Sequence, residues 1–430
     1  MAAHAQTAIF PAQAGSGIGP RAHMVIAALY LVIVFMLFTM SSSVLWEFGL
    51  NHNGVTGSVA SKIHPATYLT FLTVGFLFIA RPNPAAFPVA LVTRHPGALA
   101  FLAATLLLGA YIALDGRKGI ATIFETYLLA AFIPIMVAEL DERDIVRVEK
   151  LLHVLLAANA FLGLFEYLVN YRVFPFRFDG ALFEWDTRST ALIGHPLENA
   201  QITGIYIMML LAGGGANMPK LLRPAAILLQ MAVLIPFGGR TALLLTLAMA
   251  SLWLIPRALH FMRGGRASLL VYAAIATFLP LLLFAGAVFA MTGFFDIMAD
   301  RFADDGGSAK TRLEMFEVFG KLSWHDVVVG ASPEVIDSIR RSMGLEMGIE
   351  NPVVRLILYQ GAILTALLIA GFTLFMIEIA RRLRPGYGMA MLFFVLIVNS
   401  YESIANKTIA LAQFIVLLMA MFPRQQGAAR

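Results

Sequence analysis

Apolar residues run in long, nearly unbroken stretches along most of this chain, and short polar segments separate them. Because a membrane-spanning helix needs about 20 mostly apolar residues, these stretches predict twelve transmembrane helices. Their ranges are 24–40, 65–80, 97–114, 119–138, 151–170, 195–215, 221–237, 240–256, 268–292, 351–379, 387–401 and 405–422. For two helices to fit between positions 221 and 256, the segment 236–240 must form a tight turn.

The overall composition agrees with this pattern. Hydrophobic residues make up 59% of the chain and charged residues only 13%, whereas soluble domains carry about 25% charged residues. An ordinary soluble enzyme is therefore excluded. The chain has no cysteine, which excludes disulfide scaffolds, cysteine-type zinc sites and thiol catalysis. We predict an all-α fold, a polytopic transmembrane helical bundle of about 12 spans.

One long polar segment, residues 293–350, interrupts the apolar pattern. We divide the chain into a disordered N-terminal tail (1–20), a bundle of nine spans (21–292), the loop region (293–350), and three last spans with a tail (351–430). The tail lacks the basic start and early apolar run of a cleavable signal peptide. Within the loop region, apolar residues at helical spacing predict two amphipathic helices that lie on the membrane or on the bundle. They occupy positions 313, 316 and 319, and then 336, 339, 343 and 347.

The formal net charge of +5 would fit a nucleic-acid-binding protein if the basic residues shared one polar surface. They lie instead in short loops, and alternate loops carry about twice as many of them as the others. Basic residues favour the cytoplasmic side of a membrane. We therefore expect both termini in the cytoplasm and the segments 171–194 and 293–350 on the opposite side. The lipid bilayer is an expected partner, and nucleic acid is not.

Few charged residues fall on the predicted outer side, which makes each of them informative. The segment 171–194 mixes aromatic and charged side chains, as an interfacial belt and a sugar-binding surface both do. Arg240 follows two glycines at a helix start and is either a snorkelling anchor or a phosphate ligand. His195 is either structural or catalytic. The acidic stretch 300–305 either holds a divalent metal or is simply solvated.

Four acidic residues fall within or beside predicted spans, namely Glu125, Glu166, Glu378 and Glu402. A carboxylate that faces lipid is unfavourable, so each of them should face the bundle interior or an interface. They are too scattered along the chain to trace a path for protons.

Several short motifs follow one another in order between about residues 185 and 380. They are Arg188 followed by Gly194-His195-Pro196-Leu197-Glu198-Asn199, then Gly238-Gly239-Arg240-Thr241-Ala242-Leu243-Leu244, then Arg312 with Trp324 and Gly330 downstream, and finally Glu350-Asn351 ahead of Gly361-Ala362-Ile363. In order, spacing and outward placement this pattern resembles the O-antigen ligase and polysaccharide polymerase superfamily. The resemblance implies a GT-C-like membrane bundle with a helical periplasmic loop near its C-terminal end.

The resemblance also implies an inverting glycosyl transfer, without metal or cofactor, at the periplasmic face of the bacterial inner membrane. The implied donor is a polyprenyl-diphosphate-linked oligosaccharide and the acceptor is a glycan hydroxyl; other polysaccharide assembly proteins are expected partners. By position, Arg240 and Arg312 would hold the donor diphosphate, because two guanidinium groups neutralise the charge that develops on it. The expected substrate-binding residues are Arg188, His195, Asn199, Trp324 and Asn351.

Glu350 departs from the superfamily pattern, since the ligases commonly carry a histidine there as base for the acceptor hydroxyl. A buried glutamate can do the same work, and Glu350 is therefore the expected catalytic base. Alternatively, Glu350 is only an acid favoured at a helix N-terminus, and His195 or another group is the base. The departure favours a polymerase of glycan repeat units over a ligase acting on lipid A core. A transporter or flippase of lipid-linked oligosaccharide and a structural scaffold are the other hypotheses.

Overall fold

The computed structural model describes residues 18–54, 57–117, 119–183, 186–263, 314–345, 349–400 and 404–424, together with the single positions 280, 290, 291 and 296. Almost all of the predicted tail 1–20, of the predicted span 268–292 and of the segment 293–313 lies outside the described residues. The described chain is mostly helical with almost no strand, which confirms the prediction of a helical fold.

The helices are numbered in chain order within the described residues. They are α1 (Pro20–Thr39), α2 (Ser42–Glu47), α3 (Pro65–Ile79), α4 (Ala86–Arg94), α5 (Pro96–Leu114), α6 (Ile120–Val137), α7 (Glu142–Val169), α8 (Pro196–Leu211), α9 (Leu222–Phe237), α10 (Arg240–Met262), α11 (Trp324–Val329), α12 (Pro333–Ser342), α13 (Pro352–Gln360), α14 (Ala362–Arg382), α15 (Gly388–Val398) and α16 (Ala410–Met421). Two short strands, β1 (Arg177–Phe178) and β2 (Ala181–Leu182), pair antiparallel.

Five helices in the described part of the chain are long and apolar enough to cross a membrane. They are α1, α5, α6, α7 and α14, and four shorter apolar helices, α3, α9, α15 and α16, accompany them. The predicted tight turn is present, because Gly238 ends α9 with a φ of +64° and Arg240 begins α10. These lengths and compositions are those of a helical membrane protein.

Glycines let the helices of the bundle approach one another closely. A Cβ on Gly163 of α7 would lie 2.7 Å from the Phe237 ring at the end of α9. A Cβ on Gly371 of α14 would lie 3.0 Å from the Ala100 carbonyl of α5. Small residues at such places are typical of membrane helix packing. The centre of the bundle is α8, in which every residue from 199 to 210 is buried.

The connections between helices gather at two opposite ends of the bundle. At one end the Glu378 carboxylate near the end of α14 accepts hydrogen bonds from Gly97 N and Ala98 N at the start of α5. The other end joins the segments 40–64, 115–125, 170–195 and 404–409 through side-chain contacts. We call this second end the outer end, following the predicted topology, and the first the inner end.

The predicted single span over 351–379 is wrong, because the structure divides it at Gly361 into α13 and α14. Gly361 has a φ of +82°, and a Cβ there would lie within 2.6 Å of the backbone at Val328 and Val329, the end of α11. Only glycine allows the outer segment to pass this close, and the left-handed conformation breaks the helix. The membrane-length helix therefore starts at Ala362.

Residues 314–345 fold against α13 to form a second, smaller core at the outer end. Its buried residues are Met315, Val318, Ala331, Ile336, Leu345, Ile349, Val354 and Leu358. The second predicted amphipathic helix is present as α12, with Ile336 buried in this core rather than on lipid. In place of the first one, the described residues have a 3₁₀ helix, Glu317–Lys321. Arg117 joins this core to the bundle by donating to the carbonyls of Gly330, Ala331 and Tyr359.

Candidate functional site at the outer end of the bundle

The segment 170–195, which we call the outer loop, is fixed by a buried carboxylate. Glu166 in the last turn of α7 accepts hydrogen bonds from Val173 N at 3.0 Å, Thr190 N at 2.8 Å and Ala191 N at 2.9 Å. A carboxylate that accepts several backbone N–H groups is strongly held in that geometry. Glu166, one of the four predicted inward-facing acids, therefore positions the loop from both of its ends.

Two asparagines extend this fixation to the end of the outer loop. Asn159 Oδ1 accepts from Leu192 N at 3.0 Å, and its Nδ2 donates to Asn199 Oδ1 at 2.8 Å. Asn199 Nδ2 donates in turn to the carbonyls of Thr190 and His195. Asn199 is fully buried and its amide is occupied by these contacts. Its predicted role in binding substrate would require them to break, whereas its observed contacts hold the loop.

The outer loop lines a partly open cavity of ≈ 190 Å³. Its lining residues are Arg172, Pro175, Phe176, Leu182, Phe183, Asp186 and Thr190. The Phe176 and Phe183 rings stack with their centroids 5.6 Å apart. Small-molecule pockets usually have volumes of about 300–1,000 Å³, so this cavity has room for one end of a ligand. Aromatic faces beside an arginine and an aspartate suit a polar ring with many hydroxyl groups.

His195 lies at the edge of this cavity. Its ring packs edge-on against Phe176 with centroids 4.6 Å apart. Burial, and to a lesser extent the nearby Arg188 guanidinium, lowers the pKa of His195 to about 4, and Asp186 partly opposes this shift. The imidazole is therefore neutral at pH 7. Among the described residues its buried Nδ1 has no hydrogen-bond partner.

Arg188 belongs to the same group of residues. Its Nε donates to Asp186 Oδ1 at 2.7 Å, and a second guanidinium nitrogen contacts Oδ2, so the pair is bidentate. A bidentate pair fixes the plane of the guanidinium group. The structure thus brings together two of the predicted substrate-binding residues, Arg188 and His195, beside the cavity.

A second group of polar side chains lies next to the outer loop, some buried and some half-buried. We call it the outer polar cluster: Ser42, His52, His64, Glu125 and Lys407. Ser42 Oγ lies 2.9 Å from His52 Nδ1, and His52 Nε2 lies 3.0 Å from Glu125 Oε2. Glu125 also accepts from His64 N at 3.0 Å. His52, His64 and Glu125 are almost inaccessible, with exposed fractions of 5%, 1% and 1%.

Lys407 closes the cluster from the segment before α16. Its Nζ donates to the backbone carbonyls of His52 and Lys62 and lies 3.4 Å from His52 Nδ1. Burial lowers the pKa of Lys407, while the carboxylates of Glu125 and Glu198 raise it. Burial also lowers the pKa of His64 to about 4, so this imidazole is neutral. The cluster combines a half-buried lysine with a carboxylate and two imidazoles that are almost inaccessible.

The cavity and the outer polar cluster are neighbours. Ser43 Oγ of α2 donates to the Gly194 carbonyl at 3.1 Å, which joins the residue beside Ser42 to the residue before His195. One turn further along α8, Glu198 accepts from Thr408 Oγ1 at 2.7 Å, next to Lys407. At the start of α8, His195 therefore lies beside the cavity and Glu198 lies beside the outer polar cluster.

The remaining predicted site residues lie on other elements. Arg240 begins α10 beside Gly239, where a Cβ would lie 2.5 Å from the Ala200 Cβ of α8. Asn351 caps α13 by accepting from Val353 N and Val354 N, and the half-buried Glu350 precedes it. Trp324 is 83% exposed at the start of α11. Arg312 lies outside the described residues.

No sequence pattern indicates Ser42, His52 or Lys407 as site residues, and Glu125 is predicted only as one of four acids that face the interior or an interface. These residues are far apart along the chain and belong to no shared motif. One signal was present, because Lys407, like Arg240, lies on the predicted outer side against the usual distribution of basic residues. A lysine on the outer side of the bundle is favourable only if an anion or carbonyl oxygens lie near its ammonium group, and the structure has both near Lys407.

The described residues also include one group with metal-ligand spacing at the inner end. His23, Asp141 and Asp144 bring one potential ligand atom each within 4.8 Å of the others. Asp141 accepts from Asp144 N at 2.8 Å and thereby caps α7, while Asp144 accepts from Arg147. These contacts give both carboxylates structural roles. The acidic stretch 300–305 lies outside the described residues.

No protein-family model, no curated protein and no solved structure matches this chain. The resemblance drawn from the short motifs stays a prediction. A function is therefore inferred from the residues at the outer end.

Proposed function

We propose that this protein is a membrane glycosyltransferase that polymerises glycan repeat units on the outer side of the bacterial inner membrane. The observation that carries the proposal is the cavity of the outer loop. Stacked aromatic rings, an arginine and an aspartate line it, and a neutral histidine lies at its edge. Such a lining suits a sugar ring, and the loop that forms it lies at one end of an apolar helical bundle, beside which a lipid-anchored donor would lie.

In this proposal the twelve predicted spans form a GT-C-like bundle, and the donor is a polyprenyl-diphosphate-linked oligosaccharide. Arg240 at the start of α10, together with Arg312, would neutralise the charge that develops on the leaving diphosphate. The fork of each guanidinium matches two phosphate oxygens at once. The transfer inverts the anomeric carbon and requires no metal or cofactor. The acceptor is a glycan hydroxyl, and Glu350 and His195 are candidates for its base.

A polymerase is preferred to a ligase because Glu350 replaces the histidine that ligases commonly carry. The two activities differ in the acceptor that receives the glycan, so the experiment offers both acceptors. Purified protein in lipid nanodiscs is incubated with a lipid-linked oligosaccharide, with and without lipid A core. Growth of the oligosaccharide chain supports the polymerase, and transfer only to lipid A core would establish the ligase instead.

Arg240 gives the sharpest test of the site within this reaction. We expect Arg240→Ala to abolish chain growth and Arg240→Lys to restore part of it, because lysine has the charge without the bidentate fork. Arg143→Ala, which removes an exposed arginine at the inner end, is the matched control and should leave growth unchanged. Normal polymer yield and length with Arg240→Ala would contradict the proposed donor site.

The outer polar cluster supports a second candidate, a transporter of lipid-linked oligosaccharide. Buried ionisable groups in membrane proteins often form proton relays of carriers. A carrier would move the fluorescent lipid-linked donor across a proteoliposome membrane without forming a new glycosidic bond. The same vesicles can be assayed for both outcomes, so the two functions are separated in one experiment.

A further inference from the structure

We infer that Ser42, His52 and Glu125 form a proton relay that deprotonates the acceptor hydroxyl, an inference that rests on the proposed glycosyl transfer. Nothing in the sequence motifs assigns these three residues to catalysis. They come from α2, from the loop after it and from α6, and the fold brings them into one hydrogen-bonded row that ends at a half-buried hydroxyl.

The contacts assign a direction to this row. As a carboxylate, Glu125 can only accept hydrogen bonds, so His52 Nε2, 3.0 Å from Glu125 Oε2, carries the hydrogen of this bond. Nδ1 is then an acceptor, and Ser42 Oγ donates to it at 2.9 Å. This is the order of hydroxyl, imidazole and carboxylate in which the imidazole works as a general base and the carboxylate holds its tautomer.

Glu125 is placed by an unusual stretch of backbone. Residues Ile123–Leu128 of α6 form a π-helical turn, and Glu125 lies within it, buried at 1% exposure. Single π-helical turns inside α-helices are frequent at functional sites. A carboxylate buried in a membrane bundle is unfavourable unless it is paired. The altered turn gives Glu125 two donors from outside its own helix, His52 Nε2 and His64 N.

The neighbours of His52 suit a group that accepts a proton at Nδ1. The ammonium of Lys407 lies 3.4 Å from Nδ1 and can only donate, which agrees with Nδ1 as the accepting side of the ring. The Glu125 carboxylate on the other side stabilises the imidazolium once it forms. His64, whose ring centroid lies 5.8 Å away, caps α3 by accepting from Ala66 N and so has a structural task of its own.

The Ser42 hydroxyl can receive a proton from outside the row. It is half-buried at the start of α2, and the next residue, Ser43, contacts the outer loop at the Gly194 carbonyl. The same hydroxyl lies 3.1 Å from Asn53 Oδ1, which shows that it can turn between two acceptors. When its hydrogen points to His52, its oxygen lone pairs are available to an incoming hydroxyl.

The proton transfers and the glycosyl transfer take place in one step. The acceptor O–H gives its proton to Ser42 Oγ while Ser42 gives its own proton to His52 Nδ1. The acceptor oxygen forms a bond to the anomeric carbon of the donor as the bond from that carbon to the diphosphate oxygen breaks. The electron pair of the broken bond leaves with the lipid diphosphate. The proton on His52 passes to water after the products depart.

The test measures chain growth by purified protein in nanodiscs, and donor binding separately by photo-crosslinking of a lipid-linked oligosaccharide. We expect Ser42→Ala and His52→Asn to lower kcat at least about 100-fold with little change in donor KM, because a general base contributes about 10²–10⁴-fold. Ser42→Thr, which keeps a hydroxyl, should recover most of the rate. Added imidazole should partly rescue His52→Ala. Glu125 is a positioning residue, so Glu125→Asp should recover more activity than Glu125→Gln.

Ser61→Ala is the control, since it removes an exposed hydroxyl at the outer end that contacts Ser58 outside the row, and it should leave kcat nearly unchanged. Size-exclusion profiles and thermal midpoints show which variants fold, and imidazole rescue identifies a folded His52→Ala. If Ser42→Ala and His52→Asn retain kcat while Glu350→Gln loses it, the relay is refuted and the proposed function stands. If the wild-type protein transfers no sugar, the proposed function fails and the relay fails with it.

Discussion

Gly194 is the position where one added methyl group tests whether the outer loop and α2 must stay in contact. Gly194 has a φ of +76°, and its carbonyl accepts from Ser43 Oγ. A Cβ at this position would collide with Ser41 Oγ and would lie 2.7 Å from Ser41 Cβ and 3.1 Å from Ser43 Oγ. Gly194→Ala must therefore push the start of α2 away from the outer loop.

The size of the effect follows from three contributions. The left-handed conformation costs about 1–2 kcal/mol for a residue with a Cβ. Overpacking of a filled site costs about 1–3 kcal/mol. Ser41 is also the N-cap of α2, accepting from Val44 N, and losing a cap costs about 0.5–2 kcal/mol. Because the contributions overlap, we expect Gly194→Ala to lower the free energy of unfolding by about 2–5 kcal/mol.

Gly344→Ala measures the contribution of the left-handed backbone conformation alone. Gly344 has a φ of +71°, and a Cβ there would have nothing within 4 Å. The assay compares thermal midpoints of the two variants in detergent and their transfer rates in nanodiscs. Gly194→Ala should melt well below Gly344→Ala and lose transfer, because displacing α2 moves Ser42 and His195 apart from their partners. Equal midpoints and rates for the two variants would refute the close packing of α2 under the outer loop.

Two further predictions concern pH and topology. Burial lowers the pKa of His64 to about 4 in the folded protein, whereas in the unfolded chain it is about 6.5. Between these two pH values the unfolded chain binds a proton that the folded chain does not, so the free energy of unfolding decreases as the pH falls. The thermal midpoint should show this loss, and His64→Gln should lose less; an unchanged pH dependence would contradict the burial of His64. Because the chain has no cysteine, Ser61→Cys and Thr93→Cys introduce single thiols at exposed positions of the outer and inner ends. An impermeant maleimide added to intact cells should modify only the first, and modification of only the second would reverse the predicted topology.

The apolar pattern predicted most of the bundle because the length of a membrane helix leaves few alternatives. The helices from Pro65, Pro96 and Leu222 begin within a few residues of the predicted spans. The division at Gly361 was not predictable from hydropathy, since the apolar run continues through it. What breaks the helix is the close approach of the α11 end, a contact between segments that are distant in the pattern. Hydropathy measures the preference for lipid and carries no information about such contacts.

The candidate site was predictable only where one segment holds several of its parts. Arg188 and His195 lie seven positions apart, and the structure brings both to the cavity edge. The row from Ser42 to Glu125 unites three separate segments, and no spacing along the chain indicates it. The sequence did predict that Glu125 should face the bundle interior or an interface, because an unpaired carboxylate is unfavourable in lipid. It could not show which of the remaining polar residues would be its partner.

Glu378 and Glu125 show why burial of a carboxylate does not by itself indicate catalysis. Glu378 at the inner end accepts from two backbone N–H groups at the start of α5 and lies 2.8 Å from an Arg382 guanidinium nitrogen. His95 Nδ1 also lies 3.2 Å from this carboxylate, and together these groups join α5 to α14. Glu125 likewise contacts a histidine, His52, but the far side of the His52 ring meets a half-buried hydroxyl, Ser42 Oγ. A buried pair of a carboxylate and an imidazole is therefore not enough to indicate catalysis, and it is the hydroxyl beyond His52 that favours chemistry at the outer end.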